Sequence, residues 1–342
     1  MKKIMYVASL NTKKDKYDGE RIKSTHIFNV LNKVIESITV INLSKTKYFS
    51  TFKMLFLSFF AKKKYEYFIV SKDARGAKII HKILKFAHVD PQKIIYFEIG
   101  PFLYDLLLFN KTKPELFLHD RNIIVETESM KCELEEFGFK NLRVFPNFKT
   151  NPHIEFKKKK YPVEQIKLVY FSRIEEKKGI YDLINVLKRI NQDKILFTLD
   201  VYGLFMSKED NEKLCDLVKQ NDFLFYKGKL DMGKNESYNI LASYDLHVFP
   251  THYNEGFPGS LIDFFFVGVP TLSSSFLRFK DILSEDNSFV YKQFDNEDLE
   301  KQLIFIYNNQ NRLFERSIKT YQLNSLYTTE TFEVFLRGLF HE

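Results

Sequence analysis

Two carboxylates eight residues apart, Glu255 and Asp263, flank the turn Gly256-Phe257-Pro258-Gly259-Ser260. An apolar run at 246–250 precedes the turn and reads as a buried strand. The apolar stretch after the turn reads as a helix of about three turns. Pro258 suits its first position, where the fixed φ fits and the missing N–H costs nothing. Gly268 falls where a helix C-cap takes a left-handed residue, and Pro270 blocks any continuation. The unpaired N–H groups of Gly259 and Ser260 then point out of the helix start, toward an anion. Such a turn suits a ligand with hydroxyls at two ends and a phosphate between them. A second turn, Ser172-Arg173-Ile174-Glu175-Glu176-Lys177-Lys178-Gly179, closes a strand at 167–171 and opens a helix at 180–190. It sets two cations, Arg173 and Lys178, beside a helix N-terminus. Charge-assisted bonds from the cations, with backbone N–H groups behind them, hold a diphosphate efficiently.

Both turns need a strand before them and a helix after them, and the chain supplies that alternation throughout. Strands are expected at 3–9, 38–42, 65–71, 93–99 and 141–147, and one opening the stretch 121–139, with helices at 20–34 and 76–86 and a short one ended by Gly138. After a Lys-rich run at 157–162, which reads as an exposed hinge, the pattern restarts. Further strands fall at 197–203, 223–226, 271–275 and 289–290, and helices at 212–219, 236–242, 297–307 and 328–340. Repeated βα units specify an α/β fold with parallel sheets.

With 342 residues, 44% of them hydrophobic, the chain has material for about two domains and two cores. Only 12 Gly and 9 Pro argue against long disordered linkers. The 36 Phe and 19 Tyr beside no Trp read as the codon bias of an AT-rich genome. A net charge of +8 points to nucleic acid, an anionic membrane or phosphorylated ligands. No zinc-ligand cluster, RNP-like strand or helix-turn-helix spacing appears, which sets nucleic acid aside. Cys132 and Cys215 lie far apart in helix-like contexts, and free, buried thiols in a reducing compartment are expected. The apolar run at 4–8 is too short for a signal peptide, and no run approaches the ~18 residues of a membrane span. One stretch, 45–64, is an aromatic-rich helix with lysines at both ends. It suits either a place on the sheet with lysines at its rim or the surface of an anionic membrane.

The Glu255-to-Asp263 stretch resembles the E-x7-E signature of retaining glycosyltransferases with the GT-B fold, in particular glycosyltransferase family 4. Glu255-Gly256-Phe257-Pro258 is in place, while Asp263 stands where that family usually has its second Glu. Arg173 and the Lys178-Gly179 pair match the family's diphosphate-binding positions, and Pro146-Asn147 resembles its close of the N-terminal domain. The resemblance implies two Rossmann-like domains facing a cleft. These are an acceptor-side domain at 1–155, a nucleotide-sugar domain at 156–320, and a last helix at 321–342 crossing back to the first. It implies that a sugar moves, with retention, from a nucleotide-diphosphate sugar to a hydroxyl of a glycan or polyprenyl-diphosphate-linked glycan. UDP is the expected nucleotide, and surface polysaccharide the expected product.

In that scheme Arg173 and Lys178 neutralise the leaving diphosphate, Glu255 bonds the transferred sugar and Asp263 the ribose. Gly256, Phe257, Pro258, Gly259 and Ser260 complete the donor site, and Gly228 lies near the base. Gly19, Arg21, Glu98 and Gly100 are acceptor-side candidates, although Gly100-Pro101 stands where a Gly-Gly pair is common. No cofactor is expected. With two cations present and no Asp-x-Asp in a suitable loop, no metal is expected either. The location implied is cytoplasmic, with contact on the inner membrane face. Two other readings fit the same residues: a catalytically silent GT-B subunit that binds a partner glycosyltransferase, and another sugar-nucleotide enzyme such as an epimerase.

Overall fold

A computed structural model describes residues 3–11, 19–44, 47–60, 62–275, 278 and 280–341. Most of the first loop, 12–18, and Lys45 and Thr46 ahead of the aromatic helix lie outside the described residues. Two compact units result. Met1–Thr150, Glu255–Gly259 and Tyr327–Glu342 make the first, and Asn151–Asn254 with Ser260–Leu326 the second.

In the first unit, strands β1 (Lys3–Ala8), β2 (Ser37–Asn42), β3 (Tyr67–Lys72), β4 (Ile94–Glu98), β5 (Asn122–Val125) and β6 (Leu142–Val144) form one sheet. Its order is β2-β1-β3-β4-β5-β6 and every pairing is parallel. Helices α1 (Gly19–Val34), α2 (Lys47–Phe60), α3 (Ala74–Phe86), α4 (Phe102–Leu108) and α5 (Glu128–Glu135) connect the strands. Alternate residues of β1 serve opposite faces. Met5 and Val7 join Met54, Ile80, Leu84, Leu103, Met130 and Leu134 from α2 to α5. Ile4, Tyr6 and Ala8 join Ile27, Val30 and Leu31 of α1. Because both faces are covered, the strands read as unbroken apolar runs.

In the second unit, strands β7 (Ile166–Phe171), β8 (Phe197–Tyr202), β9 (Leu224–Gly228), β10 (Leu246–Phe249), β11 (Thr271–Ser274) and β12 (Ser288–Tyr291) form the other sheet. It too is parallel throughout, in the order β12-β11-β10-β7-β8-β9. Its helices are α6 (Ile180–Ile190), α7 (Lys208–Gln220), α8 (Asn235–Leu241), α9 (Gly259–Val267), α10 (Asn296–Asn308) and α11 (Asn311–Gln322). Strand order reverses between β7 and β10. In open α/β sheets, ligands bind outside the carboxyl ends of the strands at such a switch point. The loops leaving β7 and β10 are the two turns that carry Arg173, Lys178 and the start of the Glu255 motif. The last helix, α12 (Thr329–His341), returns to the first unit, where Phe332, Leu336 and Leu339 pack with Tyr6 and Phe97.

Two helices appear that were not expected, and two expectations change. No helix was expected at 102–108; α4 is short, and its Leu103 N–H is capped by Glu98 Oε1 at 2.7 Å, a residue of the preceding strand. Helix α11 went unread because its fully buried residues are few, Leu313 and Thr320. The lysine run is not wholly solvated. Lys159 Nζ donates to the Tyr244 carbonyl and lies 3.6 Å from Asp245 Oδ1, and burial lowers its pKa to about 8. Buried Asp245 needs that partner, and Tyr161 Oη donates to it as well at 3.1 Å. Finally, Cys132 is exposed and Cys215 only half-buried, because each falls away from the apolar stripe of its helix.

Candidate functional site

The turn after β7 and the end of β10 meet backbone to backbone. Gly179, at φ +71, leaves no room for a Cβ, which would overlap the Pro250 carbonyl. Gly203, at the end of β8, is equally confined by the Ser172 carbonyl. Glycine is required at both places by this close approach. The His252 N–H donates to the Lys177 carbonyl at 2.9 Å, which ties the β10 loop to the β7 turn. His252 Nε2 lies 2.7 Å from Asp182 Oδ2, and its ring stacks on Phe294 with centroids 4.5 Å apart.

On this frame the two expected cations come together around one ring. Lys178, only 5% exposed, places Nζ 4.8 Å from the centroid of Tyr253. The more exposed Arg173 has Cζ 5.9 Å from the same centroid, and its Nε is 3.4 Å from Glu175 Oε1. One residue on, buried Arg278 donates through Nη1 to Asn254 Oδ1.

Helix α9 opens at Gly259, so Pro258 precedes the helix and does not occupy its first position. The shift of one residue keeps the first-turn N–H groups at Gly259 and Ser260. Gly268 closes the helix at φ +66, as its place demands. Asp263 is 1% exposed, and Tyr238 Oη donates to its Oδ1 at 3.2 Å. Burial, then the Asp263 charge, hold the Tyr238 phenol well above its usual pKa, so it remains a donor. Gly228, at φ +80, ends β9 two strands away from β7, and its carbonyl accepts from the Gly203 N–H at 2.8 Å.

Glu255 to Gly259 belong to the first unit, and what holds them there was not foreseen. Glu126, 4% exposed, pairs through Oε1 with Lys23 of α1 and accepts the Phe257 N–H on Oε2 at 2.8 Å. Asn147 Nδ2 donates to the Phe257 carbonyl at 3.1 Å, so both polar backbone atoms of Phe257 are satisfied by side chains. The Phe257 ring is buried 5.0 Å from that of Tyr327. A Cβ on Gly256 would overlap Glu126 Oε2 and lie 3.4 Å from the Gly100 Cα. Gly100 itself is at φ +76. Glu255 is half-buried beside this cluster in the chain. Gly19 and Arg21 begin α1, where the Arg21 carbonyl accepts from Thr25 Oγ1 at 2.7 Å. Neighbouring Glu20 pairs with Lys72.

Residues 153–322 match the family described as Glycosyl transferases group 1. That segment holds Arg173, Lys178, Glu255 and Asp263. The chain is a GT-B glycosyltransferase. Its fold is shared with several solved structures. HepE of Anabaena, in complex with UDP, has a TM-score of 0.74 at 11% identity over 99% of both chains. Sucrose-phosphate synthase of Thermosynechococcus elongatus has a TM-score of 0.74 at 13% identity over 100% of this chain and 98% of its own. The lipopolysaccharide outer core galactosyltransferase WaaB has a TM-score of 0.66 at 14% identity over 98% and 99%. No curated protein matches the chain in sequence.

In this glycosyltransferase the sequence singles out Arg173, Lys178, Glu255 and Asp263, while Tyr253, Glu126 and Lys23 carry no such motif signal. Tyr253 sits two residues before Glu255, inside the motif's approach, and that proximity was the available signal. Glu126 looked like one more acid at the start of α5, where Thr127 Oγ1 does accept the Met130 N–H at 3.1 Å. Among the described residues of the glycosyltransferase, no helix is long and apolar enough to cross a membrane.

Proposed function

We propose that this glycosyltransferase transfers a hexosyl group from a nucleotide-diphosphate sugar, with UDP as the nucleotide, to a hydroxyl of a glycan or lipid-linked glycan, retaining the anomeric configuration. The observation that carries this reading is the Arg173–Lys178 pair around Tyr253 at the switch point of the second sheet. HepE, which shares the fold, was solved with UDP and with UDP-glucose, and that supports the choice of nucleotide. In the reaction the bond from the anomeric carbon to the β-phosphate oxygen breaks, and negative charge gathers on the departing diphosphate. Arg173 and Lys178 neutralise that charge, and the Gly259 and Ser260 N–H groups add the dipole of α9. Glu255 bonds the hydroxyls of the moving sugar, Asp263 the ribose, and backbone near Gly228 the base. Gly19, Arg21, Glu98 and Gly100 lie on the acceptor side.

The two cations supply the charge that a divalent metal would otherwise bring. Incubation with a panel of UDP-sugars in excess chelator is therefore expected to release UDP slowly by hydrolysis, and faster once the acceptor is present. Dependence of that release on added magnesium or manganese would overturn the metal-independent clamp. Absence of nucleotide release under every condition would favour a silent subunit. An epimerised sugar still attached to its nucleotide would favour the epimerase.

The acceptor side carries a second observation. Helix α2 buries Met54 and Ser58 but turns Phe52, Phe56, Phe59 and Phe60 outward, the last of them 71% exposed. Lys53, Lys63 and Lys64 are exposed beside them, and α2 contains no acidic residue. A face of this composition fits the headgroup region of an anionic membrane, as an enzyme extending a polyprenyl-linked surface glycan needs. In flotation assays the protein is expected to rise with phosphatidylglycerol-rich vesicles at low salt and to be released as salt screens the lysines. A Phe56→Ser, Phe60→Ser variant should bind more weakly at every salt concentration. No flotation at low salt would leave a soluble acceptor as the better reading.

A further inference from the structure

We propose that Tyr253 is a positioning residue whose aromatic face holds Arg173 and Lys178 in register with the donor diphosphate. The inference rests on the donor reading above and extends it to a residue that never needs to touch the reacting atoms. The geometry lies wholly within the second unit. Lys178 Nζ is 4.8 Å and Arg173 Cζ 5.9 Å from the ring centroid, both within the range where a ring quadrupole attracts a cation. Lys178 is buried, and an ammonium removed from water requires compensation. The π face supplies part of it.

The ring can serve this way because its backbone is pinned on both sides. The Tyr253 N–H donates to Thr251 Oγ1 at 3.1 Å, and the Thr251 carbonyl accepts from Ser274 Oγ at 2.8 Å. His252 is tied through its N–H to Lys177, the residue before the buried lysine, and through its ring to Asp182. On the other side Asn254 is held by Arg278. Four consecutive residues, Thr251 to Asn254, are thus anchored, and the platform they carry has little freedom. Two cations brought near one another repel; with the ring facing both, their positions are set before the donor arrives. Preorganised charge of this kind costs no rearrangement when the leaving group departs.

The test compares Tyr253→Phe, which keeps the π face, with Tyr253→Leu, which keeps apolar bulk but not the quadrupole. UDP binding is measured by calorimetry and the donor KM and kcat by nucleotide release, with a circular-dichroism melt for each variant. Tyr253→Phe is expected to bind UDP within about twofold of wild type, and Tyr253→Leu about thirtyfold more weakly, the scale of a desolvated cation–π contact. The donor KM should rise in step, with melting unchanged. In a Lys178→Ala background the Leu substitution should cost clearly less than it does alone, because one of the two contacts it removes is already gone. Wild-type affinity in Tyr253→Leu, additive losses in the double variant, or a Phe variant as weak as the Leu variant would each overturn the proposal. In the last case the hydroxyl would carry the function. Wild-type protein that binds no UDP at all would instead overturn the donor reading, and this inference with it.

Discussion

Replacing Lys23 by Met is expected to lower stability by about 3–5 kcal/mol, the usual cost of stripping one partner from a buried ion pair. Both side chains are almost wholly enclosed, at 8% and 4% exposure for Lys23 and Glu126. With the ammonium gone, the Glu126 carboxylate keeps the Phe257 N–H but loses its compensating charge. The loss should appear as a lower urea midpoint. A double variant, Lys23→Met with Glu126→Gln, should recover most of it, since replacing both partners is often close to neutral. The double variant should nevertheless turn over poorly. A glutamine oxygen accepts the Phe257 N–H more weakly than a carboxylate does, and the stretch from Glu255 to Phe257 would be held less firmly. An unchanged urea midpoint in Lys23→Met would show that water reaches this pair and that it contributes little.

The contrast between what was legible and what was not follows from range. Strand positions were readable because each sheet is covered on both faces, so that residues such as Ile4 to Ala8 are apolar without interruption. The C-terminal end of α9 was readable because Gly268 and Pro270 act locally. The Arg173 and Lys178 turn was readable because its charges follow one strand and precede one helix. Lys23 was not, since a lysine on a helix with a modest apolar stripe looks solvated, and the chain has 52 Lys and Arg to choose among. Only the topology that brings α1 beside the end of β5 shows which lysine meets Glu126. The same holds for Tyr253. Its neighbours in sequence advertise a turn, but the two cations it faces leave a different strand, and no spacing rule connects them. Lys159 inverts the lesson: a run of four lysines reads as solvent-exposed, yet a buried acid elsewhere in the unit claims one of them.

Exchanging the two motif carboxylates for amides is expected to separate catalysis from binding. Glu255→Gln should lower kcat about 10²- to 10³-fold, the scale set by removing one preorganised partner of a reacting group, with the donor KM changed little. Asp263→Asn should instead raise the donor KM about tenfold and leave most of kcat, because a ribose contact is made equally in ground and transition states. The side chain of Asp263 is one methylene shorter than a glutamate, so it reaches about 1.5 Å less far along the same direction. It is also 1% exposed and accepts Tyr238 Oη. A carboxylate offers about four lone-pair sites, more than one bond from Tyr238 uses. Tyr238, kept protonated by burial and by the Asp263 charge, fixes the carboxylate's orientation. Tyr238→Phe should therefore reproduce part of the KM effect of Asp263→Asn without touching the acid itself. If the ribose contact runs through Asp263, a 2′-deoxyribose donor should be penalised less in Asp263→Asn than in wild type, because the partner group is already weakened. Should Asp263→Asn abolish turnover while Glu255→Gln leaves it intact, the two roles are reversed, and the buried acid on α9 is the one that meets the transferring sugar.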